Sequence, residues 1–324
     1  RKWFAHYEQW LWSVRQPSSV VPVLPLTTTD TELKRKLFRT GCDAARVTKI
    51  FLDLQAKCEA LRIPQCPVEG HVVLTRTALT VSLEYTGVVV ECSAAHWEKL
   101  RQLHVRSSKS QKFLRNDAFC VLARLHALQG ANPRSGGMQA ALHGEVFDSL
   151  YNDFACLVEC FASPLNCRWS RFCSAAADVD GPFGSLGSFY DFWPEEGSYQ
   201  ANPPYEPAVV ATMAGHMDQL LHRAEECQKP LSFVVVIPSW PDEASWRSLQ
   251  TSPFCTANVH LPQLLHGFCE GGQHYRASRY RRSNHDSTVF ILQTAAGKRV
   301  WPPAAQKLRR LEVAFRPKDS VTST

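Results

Sequence analysis

The sequence Asn202-Pro203-Pro204-Tyr205 contains the groups that are needed to hold a planar amine during methyl transfer. An adenine N6 amine is a poor nucleophile because its lone pair is delocalised into the ring, so an enzyme must draw it towards tetrahedral geometry. Asn202 can offer a side-chain carbonyl and Pro203 a main-chain carbonyl as acceptors, and the paired prolines stiffen the backbone. Tyr205 offers a ring on which a base can stack. The tetrapeptide therefore predicts an amino-methyltransferase, although it also fits an ordinary turn.

The segments around this tetrapeptide predict the strand, loop and helix in which α/β enzymes bind ligands. Residues 197–201 are expected to form a strand, and residues 207–227 a helix, because their apolar residues recur with helical spacing. From about residue 151 the chain continues this alternation, which is typical of a doubly wound α/β sheet. The other predicted elements are strands at 157–161, 232–238, 256–261 and 288–294 and a helix at 164–174. The apolar strand at 232–238 is expected to be parallel and covered on both faces.

The first half of the chain predicts mainly helices and one small sheet. Helical periodicity is present at 1–14, 31–39, 44–61, 96–104, 112–128 and 138–150, with a proline-rich connector at 17–25. Strands are predicted at 72–80 and 88–92. The aromatic residues around Trp3 fit either a base-stacking surface or a helix face that packs into a core.

Composition indicates a globular protein of 324 residues with 44% hydrophobic residues and a net charge of +6. No apolar run approaches the ~20 residues of a membrane helix, so we predict no membrane partner. The 12 cysteines form no Cys-x-x-Cys pair and are expected to be reduced thiols. Neither the cluster Cys156, Cys160, Cys167 and Cys173 nor the histidines predict a metal site.

Four arginines predict a contact with nucleic acid. Arg276, Arg279, Arg281 and Arg282 alternate with Tyr275 and Tyr280, a pattern that suits phosphate contacts and base stacking. A solvated loop is the alternative interpretation.

Three segments together resemble one family. They are the runs 159–167 (ECFASPLNC), 178–185 (DVDGPFGS) and 202–205 (NPPY), and they resemble the phosphorylated-CTD-interacting factor family of cap-specific adenosine N6-methyltransferases. The likeness extends through most of residues 140–315, including 231–238 and 285–293. The chain is therefore identified as a member of that family.

This resemblance implies a fold and a domain organisation. It implies a Rossmann-like class I methyltransferase domain at 151–317, a mainly helical domain at 1–150 that contributes to RNA or cap binding, and a flexible tail at 318–324. The protein is then expected in the nucleus, with the cytoplasm as the alternative.

The resemblance also implies an activity and its residues. The expected enzyme is an mRNA (2'-O-methyladenosine-N6-)-methyltransferase that uses S-adenosylmethionine and acts on the 5′ end of capped RNA. Residues Asn202, Pro203, Pro204 and Tyr205 would hold the target adenosine. The methyl donor would lie against Glu159, Phe161, Ala162, Ser163, Pro164 and Asn166, although the segment from Phe161 also fits a plain strand-to-helix connection.

Departures from the family pattern leave alternatives open. Tyr205 replaces the phenylalanine that is common in this family and adds a hydroxyl group. No WW module is visible, so binding to the RNA polymerase II tail is not predicted. Methylation of adenine in another nucleic acid, N5-methylation of a protein glutamine, and a catalytically silent RNA-binding scaffold are the competing functions.

Overall fold

The structure is a computed structural model that describes residues 31–39, 41–62, 71–107, 111–129, 140–271 and 279–316. The predicted helix at 1–14, the connector at 17–25 and the tail at 318–324 lie outside these ranges. None of the described helices is long and apolar enough to cross a membrane.

Before residue 130, the described residues form four α-helices and a three-stranded antiparallel sheet. The helices are α1 (Thr31–Phe38), α2 (Ala44–Arg62), α3 (Ala94–Ser107) and α4 (Leu114–Gln129), and the strands are β1 (Val73–Arg76), β2 (Thr80–Tyr85) and β3 (Val88–Ser93). The predicted strand at 72–80 is therefore wrong in its extent, because the Thr77 hydroxyl bonds the backbone of Leu79 and Thr80 and turns the chain. A two-residue turn with positive φ at Thr86 and Gly87 then joins β2 to β3.

One hydrophobic cluster joins the small sheet to later parts of the chain. Val81 and Leu83 of β2 alternate with more exposed residues and pack with apolar residues of α3 and α4. The same cluster contains Leu165, Cys167, Phe172 and Phe183. An ion pair of 2.8 Å between Arg124 and Asp180 lies at this junction. The division of the chain at residue 150 remains a proposal.

The central sheet is mixed and has five strands. Its order is β4 (Val158–Glu159), β5 (Gly197–Ala201), β6 (Leu231–Pro238), β10 (Ser287–Gln293) and β7 (Cys255–Leu261). The first three strands are parallel, and β10 runs antiparallel to both β6 and β7. The expectation that 232–238 is a parallel strand thus holds only on the side that faces β5.

Helices cover both faces of this sheet, as the apolar sequence of β6 requires. The described helices of this part of the chain are α5 (Gly144–Phe154), α6 (Ala177–Asp180), α7 (Pro207–Glu226), α8 (Ala244–Gln250), α9 (Ala295–Val300) and α10 (Ala305–Ala314). The short α6 packs against α4 and not on the central sheet. Phe233 and Val235 of β6 belong to the cluster with α7, whereas Val234 and Val236 belong to the cluster with α5 and α10. Every residue of β6 is buried.

The predicted helix at 164–174 is wrong. Residues 160–176 form turns and isolated bridges, in which Phe172 pairs with both Glu159 and Ser185. The cause is the Glu159 carboxylate, which accepts hydrogen bonds from the main-chain N–H groups of Arg168 and Trp169 at 2.6 and 3.2 Å. These donors are thereby diverted from the bonds that a helix would need. The predicted helix at 138–150 begins later, at Gly144.

Candidate functional site

A cleft lies where the chain leaves β4 and β5. Both strands are parallel, so the loops that follow them emerge at the same edge of the sheet, where α/β proteins bind ligands. The cleft is lined by Ala140, Ala141, Leu142, Phe147, Glu159, Phe161, Asn166, Gln200 and Asn202. It therefore joins residues predicted to hold the methyl donor with Asn202, which was predicted to hold the target amine.

The Asn202 side chain is held at both ends of its amide group. Its Nδ2 donates to the carbonyl oxygen of Ala140 at 3.1 Å, and its Oδ1 accepts a hydrogen bond of 2.9 Å from the Tyr205 hydroxyl. These two bonds specify which amide atom is oxygen and which is nitrogen. Pro203 is buried, and the Glu206 N–H bonds the Pro204 carbonyl at 2.8 Å, which closes a tight turn.

The Tyr205 ring is surrounded by aromatic side chains. Its centroid lies 5.8 Å from that of His285, 6.1 Å from Phe268 and 6.5 Å from Trp240, each in an edge-to-face arrangement. Burial raises the pKa of the Tyr205 hydroxyl well above its usual range. The hydroxyl is therefore a neutral hydrogen-bond donor to Asn202 across the physiological pH range.

Glu159 is a buried acid at the end of β4. Burial raises the pKa of its carboxyl to about 7, although the N–H groups of Arg168 and Trp169 and the charges of Lys99 and Arg168 act in the opposite direction. Near neutral pH the neutral and the charged forms of this carboxyl are therefore both populated.

The segment after Glu159 divides between the cleft and the core. Phe161 and Asn166 line the cleft, whereas Ala162, Ser163 and Pro164 are not among its lining residues. Ser163 and Pro164 are buried, and Ala162 packs against the cluster of the small sheet. Asn166 Oδ1 accepts hydrogen bonds from the Ser163 N–H at 2.7 Å and from the Ser163 hydroxyl at 3.0 Å, so the two residues fix the turn.

Three of the four predicted arginines lie on or beside a two-stranded antiparallel unit, which we call the arginine strand pair. It consists of β8 (Gly267–Cys269) and β9 (Tyr280–Arg282). Arg281 donates to Glu270 at 2.7 Å, and Arg282 is exposed and forms no ion pair within the described residues. Arg279 directly precedes β9, and Arg276 lies outside the described residues.

The arginine strand pair is connected to Asn202 through two neighbouring alanines. Ala141 exchanges main-chain hydrogen bonds of 3.0 and 2.8 Å with Cys269 of β8, while the Ala140 carbonyl accepts from Asn202. Phe268 of β8 also contacts the Tyr205 ring. The structure thus places Arg279, Arg281 and Arg282 beside the predicted amine-binding residues.

Sequence reasoning missed several residues of the site. Gln200, Trp240, Phe268 and His285 were not predicted to take part, and neither was the main chain of Ala140. Only Gln200 carried a usable signal, because it precedes Asn202 by two residues on a predicted strand and must share its face. Among the described residues, no group of three or more His, Cys, Asp or Glu side chains is arranged to hold a metal ion.

Comparison with known proteins identifies the family. The family model described as "Phosphorylated CTD interacting factor 1 WW domain" matches residues 99–271. Two proteins named mRNA (2'-O-methyladenosine-N(6)-)-methyltransferase, from Mus musculus and Homo sapiens, are each 34% identical to the chain. The alignments cover 79% and 73% of this chain but 37% and 34% of the relatives, so the chain spans about a third of their length.

The match corrects one prediction and confirms another. The prediction that no WW module is visible, and that binding to the RNA polymerase II tail is therefore unsupported, is wrong, because the matching family model is described as the WW domain of this family. The family resemblance of the sequence is confirmed. The chain belongs to the phosphorylated-CTD-interacting factor family.

Proposed function

We propose that this protein transfers a methyl group from S-adenosylmethionine to the N6 amine of the adenosine next to the cap of an mRNA. The observation that carries the proposal is the Asn202 amide, which the Ala140 carbonyl and the Tyr205 hydroxyl fix in one orientation within the cleft. The names of the 34% identical relatives support this choice of reaction.

The cleft offers suitable partners for the methyl donor. S-adenosylmethionine carries a sulfonium and an ammonium cation, and the Glu159 carboxylate is complementary to positive charge. Phe161 and Asn166 supply an apolar ring and an amide on the wall of the same cleft. The cleft has an internal volume of about 10 Å³, far below the ~300 Å³ at the lower end of ligand pockets, so we expect its loops to separate when the donor binds. We propose a Rossmann-like class I layout, with the donor at the carboxyl ends of β4 and β5.

The donor supplies an electrophilic methyl group, and the protein's residues prepare the amine. Asn202 Oδ1 has a second lone pair with which to accept an amine hydrogen, and the Pro203 carbonyl is the other proposed acceptor. When bound against Glu159, Phe161 and Asn166, S-adenosylmethionine would supply its methyl group to the amine that Asn202 and Pro203 hold and would leave as S-adenosylhomocysteine, and the methylated amine would release its proton to water. Positioning and polarisation supply the catalysis, so no general base is required.

The RNA is proposed to approach over the arginine strand pair. Arg279 and Arg282 can contact phosphates there, Arg276 belongs to the same sequence cluster, and Arg281 is already paired with Glu270. A single-stranded 5′ end presents its adenosine without the cost of leaving a duplex. We further propose that residues 1–150 and 151–317 act as a helical RNA-binding part and a catalytic part of a nuclear protein.

The deciding experiment measures methyl transfer from labelled S-adenosylmethionine to capped and uncapped RNAs that begin with adenosine. We expect cap-dependent formation of N6-methylated adenosine, and its loss in Asn202→Ala. Asn258→Ala, on the exposed side of β7, is the matched control and should retain activity.

The other outcomes point to the competing functions. Donor binding without transfer to either RNA would favour a glutamine or DNA substrate. Absence of donor binding, measured by thermal stabilisation, would favour the RNA-binding scaffold. Full activity of Asn202→Ala would contradict the proposed role of the tetrapeptide.

A further inference from the structure

Gln200 is a buried polar residue on the wall of the cleft, and its side chain is not satisfied by the protein. It is 1% exposed, and the unsatisfied atom of its side chain is Nε2, which has no hydrogen-bond partner in the described part of the chain. A buried donor without a partner is unfavourable, and such groups in native proteins call for an explanation such as a ligand. An apolar residue would fill this position at lower cost.

The position of Gln200 places it between the two functional parts of the cleft. Gln200 lies on β5, Asn202 follows the end of that strand two residues later, and both residues line the cleft. In the adjacent parallel strand its register partner is Glu159, and its main-chain carbonyl accepts from the Cys160 N–H at 2.8 Å. Gln200 therefore lies next to the proposed cation-binding carboxylate and close to the proposed amine-binding amide.

We propose that Gln200 is a binding residue for the methyl donor, with Nε2 donating a hydrogen bond to a carboxylate or hydroxyl oxygen of S-adenosylmethionine. This inference rests on the proposed function. The donor carries oxygen acceptors beside its cationic groups, which matches a side-chain donor beside a carboxylate. The pairing of Gln200 with Glu159, rather than with any of the arginines, assigns it to the methyl donor and not to the RNA.

The experiment uses S-adenosylhomocysteine, which retains these oxygen acceptors and undergoes no reaction, as the probe in isothermal titration calorimetry. Gln200→Met keeps an unbranched side chain of similar size but removes the hydrogen-bond donor. We expect its Kd for the probe to rise by about tenfold or more. Because the substitution also removes an unsatisfied buried group, we expect the melting temperature of the ligand-free protein to rise by about 2 °C.

Gln293→Met is the matched control. Gln293 is 2% exposed in the same sheet, but its amide is satisfied, since Nε2 donates to Ser232 and Trp301 and Oε1 accepts from Thr256. The control should therefore lose thermal stability while its Kd for the probe stays close to that of the unaltered protein. Opposite signs of the two stability changes would distinguish a ligand-directed glutamine from a structural one.

The outcomes separate this inference from the proposed function. If the unaltered protein does not bind the probe, the proposed function itself fails. If the unaltered protein binds and Gln200→Met binds equally well, the role of Gln200 is overturned. A loss of affinity for capped RNA with unchanged affinity for the probe would also overturn it. Should Gln200→Met not fold, Gln200→Glu tests the same point, because at pH 8 its carboxylate cannot donate to the probe's oxygen acceptor and repels it, which should weaken probe binding.

Discussion

The Tyr205 hydroxyl donates a 2.9 Å hydrogen bond to Asn202 Oδ1, the same oxygen that we propose as an acceptor for the target amine. Phenylalanine, which the family pattern used in the sequence analysis has at this position, lacks such a donor. Tyr205 thus holds the Asn202 amide through its hydroxyl and also offers a ring to the base. Asn202 Oδ1 keeps one lone pair for the substrate and uses the other to remain in place.

Tyr205→Phe should therefore lower activity moderately. One neutral hydrogen bond contributes about 1 kcal/mol, so we expect a turnover rate about fivefold lower with unchanged affinity for S-adenosylhomocysteine. Single-turnover kinetics on capped RNA measure this change. Tyr199→Phe, on β5, is the control, because it removes a hydroxyl bond to the Glu196 carbonyl and leaves the bonds of Asn202 in place. Equal losses in both variants would contradict a specific role for the Tyr205 hydroxyl.

Asn202→Asp should lower the rate of methyl transfer more than its small change of size suggests. The carboxylate keeps an acceptor for the amine but cannot donate to the Ala140 carbonyl, and it repels that oxygen. We expect the rate to fall about 100-fold or more, as for other lost polar groups that stabilise a transition state. Probe affinity should change by less than about threefold, as is usual away from direct contacts. A comparable loss of probe affinity would place Asn202 in the donor site instead.

Glu159 should give the ligand-free protein a specific dependence on pH. Its pKa of about 7 in the folded state lies above the unfolded value of about 4.5, so between these values the folded state binds more protons. Its contribution to stability is therefore present below about pH 4.5 and is lost as the pH rises to about 7, by an amount on the order of 3 kcal/mol. Urea unfolding at pH 5 and pH 7.5 should show this loss, and Glu159→Gln should remove it. The same pH dependence in both proteins would exclude Glu159 as its source.

The arginine strand pair should contribute unequally to RNA binding. Arg282 is exposed and has no partner within the described residues, so Arg282→Ala should lower the slope of log affinity against log salt by about 0.7, as for one lost phosphate contact. Arg281 is neutralised by Glu270, so the double variant Arg281→Ala with Glu270→Ala keeps the net charge and should leave the slope unchanged. Binding titrations with capped RNA at several salt concentrations measure these slopes. Equal slopes for the unaltered protein, Arg282→Ala and the double variant would contradict RNA binding at this surface.

The ion pair between Arg124 and Asp180 should stabilise the junction between the small sheet and the central sheet. Asp180 is 1% exposed, and burial raises the pKa of its carboxyl against the opposing effect of Arg124. Arg124→Met leaves this carboxyl without its charge partner and should cost about 3 kcal/mol of unfolding free energy. The double variant with Asp180→Asn should recover part of the loss. Equal stability of Arg124→Met and the unaltered protein would contradict this account.

The central part of the fold was predictable because its signals are local. The apolar run of β6 and the helical spacing in α7 indicate buried elements without knowledge of their partners. The helix at 164–174 was wrongly predicted because the competing interaction is not local. The carboxylate of Glu159, five residues before the start of the predicted helix, accepts hydrogen bonds from the N–H groups of Arg168 and Trp169. Strand direction is equally hidden, so the antiparallel pairing of β10 could not be predicted.

Part of the site could also be predicted from local signals. Asn202 and Tyr205 were predicted because four consecutive residues contain both the amide acceptor and the aromatic ring that the reaction needs. Gln200 carried only the weaker signal of its position two residues before Asn202, because a glutamine in a strand usually faces solvent. Its significance depends on burial and on the absence of a partner within the described residues, and both are consequences of packing.

Ala140 and Ala141 connect the Asn202 amide to the arginine strand pair with main-chain atoms alone. Replacing either alanine by another residue leaves those carbonyl and N–H groups in place, and only proline at position 141 would remove a bonding atom. Relatives can therefore differ at both positions and still keep the connection. Sequence conservation, the usual guide to important residues, therefore does not reveal this dipeptide, because its contribution comes wholly from its backbone.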